Sequence, residues 1–143
     1  MPYVQRNDIG EIIGRFANVQ PGNAEEWVEL EDIPVDWVAL IAAARFDYEV
    51  AGTLINGMSI STDRTTQNKL FGAALRAGRN ADYVIDWKLS DGSFVTLTSA
   101  AILALADGVC DYVQACYARE AALLIALNNG SFTEAMLEEG WPV

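Results

Sequence analysis

One stretch constrains this chain more than any other, and it runs from Ser99 to about Asn128. Two adjacent apolar stripes follow a three-four repeat there: Ile102, Leu105, Val109, Tyr112 and Cys116, and beside them Leu103, Ala106, Cys110, Val113 and Tyr117. That period belongs to an α-helix, and such a helix, beginning after Thr98 or Ser99, would be about 45 Å long. Both stripes break at Arg119 and Glu120, and apolar positions resume at Leu123, Leu124 and Leu127. A helix apolar over two stripes packs from more than one side. It is expected to be the spine of a domain, or a spine plus a contact with another subunit. Asn129-Gly130 stops it, and Ser131-Phe132-Thr133-Glu134 has the pattern of a capping box opening a short last helix to Glu139.

Hairpins and helices alternate ahead of that spine. Tyr3–Arg6 and Glu11–Phe16 flank Asn7-Asp8-Ile9-Gly10, whose Asn, Asp and Gly form turns, so a β-hairpin is expected. Gln20-Pro21-Gly22-Asn23 breaks the chain, and Trp27-Val28-Glu29-Leu30 suits a half-buried third strand. Pro34 fits the first turn of a helix from Val35 to Glu49, with Trp37, Leu40, Ile41, Ala44 and Tyr48 on its inner face and Gly52 ending it. Asn56-Gly57 joins Thr53-Leu54-Ile55 to Met58-Ser59-Ile60; the dipeptide is a strong hairpin signal, because both turn positions favour positive φ. Ser61-Thr62-Asp63 offers N-caps for a helix from Arg64 to Ala77, and Gly78 ends it. Tyr83–Leu89 and Phe94–Leu97 bracket Ser90-Asp91-Gly92-Ser93 as a further hairpin, with Asp86 and Lys88 making one face wet.

The fold class expected is α+β: an N-terminal β-hairpin unit, then helix–hairpin–helix–hairpin–long helix and a short C-terminal helix. The internal break falls at Ile33-Pro34, between a β-rich acidic unit (1–33) and an α+β body (34–143). A unit of about 34 residues is too small for an independent core, so it is expected to pack on the body or on a neighbouring subunit. No run of about 18 uninterrupted apolar residues exists, and Met1 to Asp8 lacks the layout of a signal peptide, so neither a membrane span nor secretion is expected.

Histidine is absent from the 143 residues, which removes Ser–His–Asp and Cys–His nucleophile systems and the His-containing zinc and iron sites. The cysteines, Cys110 and Cys116, stand six residues apart on the expected helix, about 9 Å along its axis and on different faces, too far for a disulfide. They read as buried core cysteines in a reducing compartment. Phosphate loops of the dinucleotide and P-loop kinds are missing. Carboxylate-pair catalysis remains open by composition, but no constellation supports it. Nine Lys and Arg face 20 Asp and Glu, a formal charge of −11. That balance repels nucleic acid and anionic membrane surfaces. The densest acidic stretch is Glu25, Glu26, Glu29, Glu31, Asp32 and Asp36. It reads as a solvated face, or as a docking surface steered toward a basic partner segment.

Between Trp37 and Asn128 a set of residues stands out: Arg45, Tyr48-Glu49 and Gly52, then Gly57 with Ser61-Thr62-Asp63, then Gln67 and Gly72-Ala73. Asp86-Trp87-Lys88 and Asp91-Gly92-Ser93-Phe94 follow, with Gln114, Cys116 and Glu120 in the long helix. In these residues the chain resembles a small domain of unassigned function found in tailed-phage and prophage tail proteins, tail-fibre assembly proteins among them. Tyr3-Val4-Gln5-Arg6, Gly10-Glu11-Ile12 and Gln20-Pro21-Gly22 are similar to the start of short phage tail-fibre-related proteins. The resemblance brings no catalytic or ligand residues with it. Physical chemistry supplies reasons for single positions. Gly57 suits a turn position that a side chain would strain, Asp63 is a cap, and Trp87 is a core anchor. Arg45 and Glu120 are each expected to pair with an opposite charge in a structural ion pair, and Arg119 is expected to pair with a nearby carboxylate.

The resemblance implies a non-enzymatic tail-fibre assembly or accessory protein that binds a tail-fibre or baseplate protein in the host cytoplasm. The alternative is a structural component that stays in the virion tail, baseplate or fibre. No cofactor and no metal are expected, and self-association through the second stripe is open. The candidate partner-binding residues are Glu25, Glu26, Glu29, Asp32 and Trp141. Trp141, in the short tail, is either tucked back onto the domain or offered to a partner.

Overall fold

Turn residues placed between short apolar runs give small antiparallel sheets, and the longer periodic segments give three helices. The computed structural model describes residues 3–28 and 33–143, which fall into two compact units, 1–36 and 37–143.

In the first unit, β1 (Tyr3–Arg6), β2 (Ile12–Phe16) and β3 (Glu26–Trp27) form an antiparallel sheet in the order β2-β1-β3. The Asn7 side chain builds the β1–β2 turn by accepting from the Ile9 and Glu11 amides at 3.2 and 2.9 Å, with Gly10 at φ +86°. The register slips by one between Gln5 and Arg6, so Arg6 faces Ile12, a bulge of the kind that bends a strand. Tyr3 meets Trp27 edge to face, ring centroids 5.1 Å apart. Val4, Ala24 and Val28 are buried, while Trp27 is exposed. The third strand begins one residue earlier than the expected Trp27–Leu30, at Glu26, and Val28 is outside it; Glu29 and Leu30 lie outside the described residues.

The second unit is built on α3 (Ser99–Asn129), preceded by α1 (Trp37–Glu49), the hairpin β4 (Thr53–Ile55) and β5 (Met58–Ile60), α2 (Arg64–Ala77), and the hairpin β6 (Val84–Lys88) and β7 (Phe94–Thr98). Pro34 stands ahead of α1 rather than in its first turn. Asp63 caps α2 by accepting from the Thr66 amide at 3.0 Å. Thr98 caps α3, whose other end closes at Gly130 with φ +80°.

The α3 helix carries two separate cores. Its first half holds Ile102, Leu105, Ala106 and Val109 against Ile60, Leu70, Ala77 and Leu97, with Ile85, Trp87 and Leu89 at the edge. Its last turns hold Leu123, Leu124 and Leu127 against Ile41, Ala44, Tyr48, Phe132 and Trp141. Each fully buried Ile or Leu here contributes about 1.5–3 kcal/mol. The first stripe is buried throughout, but of the second only Ala106 is buried and Val113 packs at the edge, while Leu103, Cys110 and Tyr117 are exposed. Cys110 therefore departs from the expected pair of buried cysteines; only Cys116 is buried. Leu40 also departs from expectation, since it is 44% exposed on the outer side of α1.

The C-terminal segment departs further. Residues Glu134–Leu137 form a single 3₁₀ turn, and Thr133 makes no capping bond. The turn begins two residues beyond the position that Ser131 would cap, and the Ser131 hydroxyl donates to Asn129 Oδ1 at 2.6 Å. The Arg119 guanidinium holds this segment through backbone carbonyls, donating to Glu139 O and Met136 O at 3.1 Å each, and not through a carboxylate.

Candidate functional site

Between the two cores of α3 lies a belt of polar side chains centred on Glu49, whose carboxylate meets Arg45, Arg64 and Gln67. The last turn of α1 supplies Arg45, Tyr48 and Glu49; the loop into α2 and its first turn supply Thr62, Asp63, Arg64 and Gln67; the middle of α3 supplies Tyr112, Cys116, Tyr117 and Glu120. Arg45 and Glu49 are one helical turn apart, the spacing at which opposite charges meet.

The Glu49 carboxylate is almost wholly buried and has three donors. Arg45 Nη1 donates to Oε2, Arg64 Nε lies 2.9 Å from Oε1 with its Nη2 3.1 Å from Oε2, and Gln67 Nε2 donates to Oε1 at 3.3 Å. Arg45 also donates through Nε to Glu120 Oε2 at 2.9 Å, and its guanidinium lies 4.5 Å over the Tyr117 ring. Two guanidinium groups thus balance two carboxylates. The backbone joins in, because Thr62 Oγ1 donates to Glu49 O at 2.6 Å and accepts from the Gly52 amide at 2.9 Å. Gln67 Nε2 closes the loop by donating to Thr62 O at 2.7 Å. Among the described residues, no buried side-chain nitrogen or oxygen lacks a partner. A buried ion pair is tolerated only under that condition.

The electrostatics follow the geometry. Burial works against the charge of Arg45, but hydrogen bonds to Glu120 and Glu49 outweigh it and raise its pKa. Burial raises the Cys116 thiol, and it pushes the Tyr112 phenol up to about 12, with help from Cys116 beside it. The Tyr112 hydroxyl donates to Tyr48 O. Cys110 is raised as well, by burial and then by Asp107 and Asp111. Neither thiol has the lowered pKa that a nucleophile or metal ligand needs. Among the described residues no group of three His, Cys, Asp or Glu side chains could hold a metal ion, and no helix is long and apolar enough to cross a membrane.

Of the residues singled out for partner binding, Glu25 and Glu26 belong to the first unit and Trp141 to the second. Glu25 accepts the Gly22 amide at 2.7 Å. Glu26 takes Arg6 in a two-point pair at 2.8 and 3.0 Å, and the Arg6 hydrogen bond lowers its pKa. Glu29 and Asp32 lie outside the described residues. Trp141 is 8% exposed, stacked on Tyr48 at 5.0 Å, with its indole N–H on Leu137 O at 2.8 Å; it is tucked into its own domain. The Arg45–Glu120 ion pair matches the structural role expected of those two residues.

Sequence reasoning missed Arg64, and it singled out Glu49 without assigning it the centre of the belt. The available signal was an arginine and a glutamate one turn apart in an otherwise apolar helix. Several residues that carry the resemblance, namely Arg45, Glu49, Thr62, Gln67, Cys116 and Glu120, meet in this one belt.

Residues 34–139 match a family described as a domain of unknown function, DUF4376. No curated protein and no solved structure matches the chain.

Proposed function

Because the chain belongs to the DUF4376 family, whose description names no activity, we propose a role from the residues themselves: a non-enzymatic assembly or accessory protein that binds a phage tail-fibre or baseplate protein. The closed belt around Glu49 carries this reading. Its charged groups are spent on one another, and its neutral Thr62 and Gln67 side chains on the backbone, which suits a domain whose inner polar residues hold a shape and whose outer faces do the binding. The outer side of α3, with Leu103, Tyr117 and Ile125 exposed, and the open hairpins are such faces. The tail-protein context rests on the resemblance in Arg45, Glu49, Thr62, Asp63, Gln67, Asp86-Trp87-Lys88 and Glu120. On this reading the protein acts in the host cytoplasm and leaves once the fibre is assembled.

The test is to quantify this chain by mass spectrometry in lysate fractions containing tail-fibre protein and in purified mature particles. Co-purification with a fibre protein and absence from particles is the expected result. Stoichiometric presence in particles would replace this reading with a resident structural component. Absence from both would remove the tail-fibre role.

A further inference from the structure

The outer edge of β6 in the β6–β7 hairpin has no strand beside it among the described residues. β6 pairs with β7 alone in its sheet. The Leu89 amide donates to Ser93 O at 2.8 Å, and backbone groups alternate between the two edges of a strand. The N–H and C=O groups of Asp86 and Lys88 therefore point away from β7. Ser90 is next in that outward series, and its amide donates to Ser59 O of β5 at 3.1 Å. Among the described residues no second backbone bond joins β5 to this edge, and at Lys88 and Asp86 the edge borders a cavity of about 440 Å³.

The opposite wall comes from Ser61 and the first turns of α2, with Thr66 and Lys69, and Trp87 and Leu89 supply apolar surface continuous with the main core. The chain contains two lysines, Lys69 and Lys88, and both line this cleft. Neither forms an ion pair among the described residues. The Asp86 carboxylate, also at the cleft, is engaged by Thr96 Oγ1 at 3.0 Å. The Ser61 and Thr66 hydroxyls each donate to Asp63 at 2.5 Å, which leaves their lone pairs to accept. In a molecule of charge −11, both lysines thus stand without an ion-pair partner at one open strand edge beside an apolar floor, while the neighbouring Asp63 and Asp86 carboxylates are held by hydroxyls.

We propose that this cleft takes an extended acidic segment of a partner polypeptide, which adds as a strand to the free edge of β6 and places a carboxylate between Lys69 and Lys88. Strand addition obtains affinity from main-chain hydrogen bonds and selectivity from alternate side chains. Here one set of side chains meets the lysines and the other rests on Trp87 and Leu89. The inference builds on the partner-binding reading and specifies the chemistry of the partner's segment.

The experiment uses the full chain and a fluorescein-labelled six-residue peptide alternating valine and glutamate, with a valine–lysine peptide as control. Anisotropy is expected to show saturable binding of the acidic peptide alone. Lys69→Glu combined with Lys88→Glu should weaken it by about tenfold or more, the effect of reversing charges in a binding site. Both lysines are exposed, so the circular dichroism and melting temperature of the variant should match the wild type. Amide exchange should slow at Asp86 and Lys88 when the peptide binds. Equal binding by the charge-reversed variant overturns the proposal, as does no saturation by about 1 mM peptide. Binding without protection of those amides, with glutarate competing, would make the cleft a small-anion site and also overturn it. Self-association lost in the variant, with no peptide binding, would assign the edge to a second copy and overturn it too. A fibre protein that co-purifies equally with wild type and variant would sink the cleft alone. Peptide binding at the cleft with no fibre association would sink the tail-fibre role alone.

Discussion

At the scale of single residues, Glu49 decides most. Its side chain is 2% exposed, whereas that of its partner Arg64 is 55% exposed. Removing one member of a buried pair leaves the other charge uncompensated, at a cost of about 3–5 kcal/mol, but an exposed partner is worth about 1 kcal/mol or less. Glu49→Gln should therefore lower the urea-unfolding free energy several times more than Arg64→Gln; equal losses would mean that the belt is solvated. Asp63 makes a prediction in pH. Hydrogen bonds from Ser61 and Thr66 hold its carboxyl well below the usual range. A depressed folded-state pKa gives stability that is whole above the unfolded value, near about 4, and drains away as pH falls below it. Asn also caps helices, so Asp63→Asn keeps the cap and removes the charge. The stability gap between wild type and Asp63→Asn, read from urea midpoints, should be larger at neutral pH than below about pH 4. A gap that is constant across that range would separate the cap from its charge.

At the scale of elements, the packing of α3 on the β4–β5 hairpin depends on Gly108. A Cβ there would lie 2.9 Å from Ile55 Cγ2, closer than such atoms pack. Ala in place of Gly inside a helix ordinarily adds about 1 kcal/mol, so the sign of Gly108→Ala reports whether the hairpin can yield. Because Ile55 sits in a packed core edge, Gly108→Ala is expected to lower the melting temperature. The same change in an Ile55→Ala background should raise it, and a cycle without that reversal would exclude the contact as the cause. The elements themselves were legible where local chemistry settles them. Asn56-Gly57 carries φ of +50° and +77° as a tight hairpin turn demands, and α2 starts and stops at its caps. Legibility failed where burial depends on a distant partner. Nothing in the period of α3 says that Leu103 and Tyr117 stay outside, and Ser131 does not cap because the last turn begins at Glu134, with Thr133 at its cap position. The belt was half legible for the same reason. Arg45 and Glu49 are one turn apart, but Glu120 lies 75 residues away from Arg45, a separation that no local pattern spans.

At the scale of the whole molecule, a single helix serves two apolar cores with a charged belt between them. This arrangement could melt in two steps, one for each core, if the belt were only a spacer. The contacts argue against that. Glu49 and Thr62 tie the end of α1 to the start of α2 through both backbone and side chain, and Tyr112 of α3 reaches Tyr48 O from the same level. Opening either core would strip partners from buried charges, and that cost couples the halves. One transition is therefore expected. Leu70 belongs to the first core and Leu123 to the second, and both are at most 1% exposed. Leu70→Ala and Leu123→Ala should each cost about 2–5 kcal/mol, and each should shift one shared midpoint, whether it is followed by helical circular dichroism or by tryptophan emission. Two separated midpoints in either variant would show that the belt insulates the cores. Adding Glu49→Gln to each variant then distinguishes the roles: if the belt is the coupler, its loss should split a transition that neither leucine change splits alone.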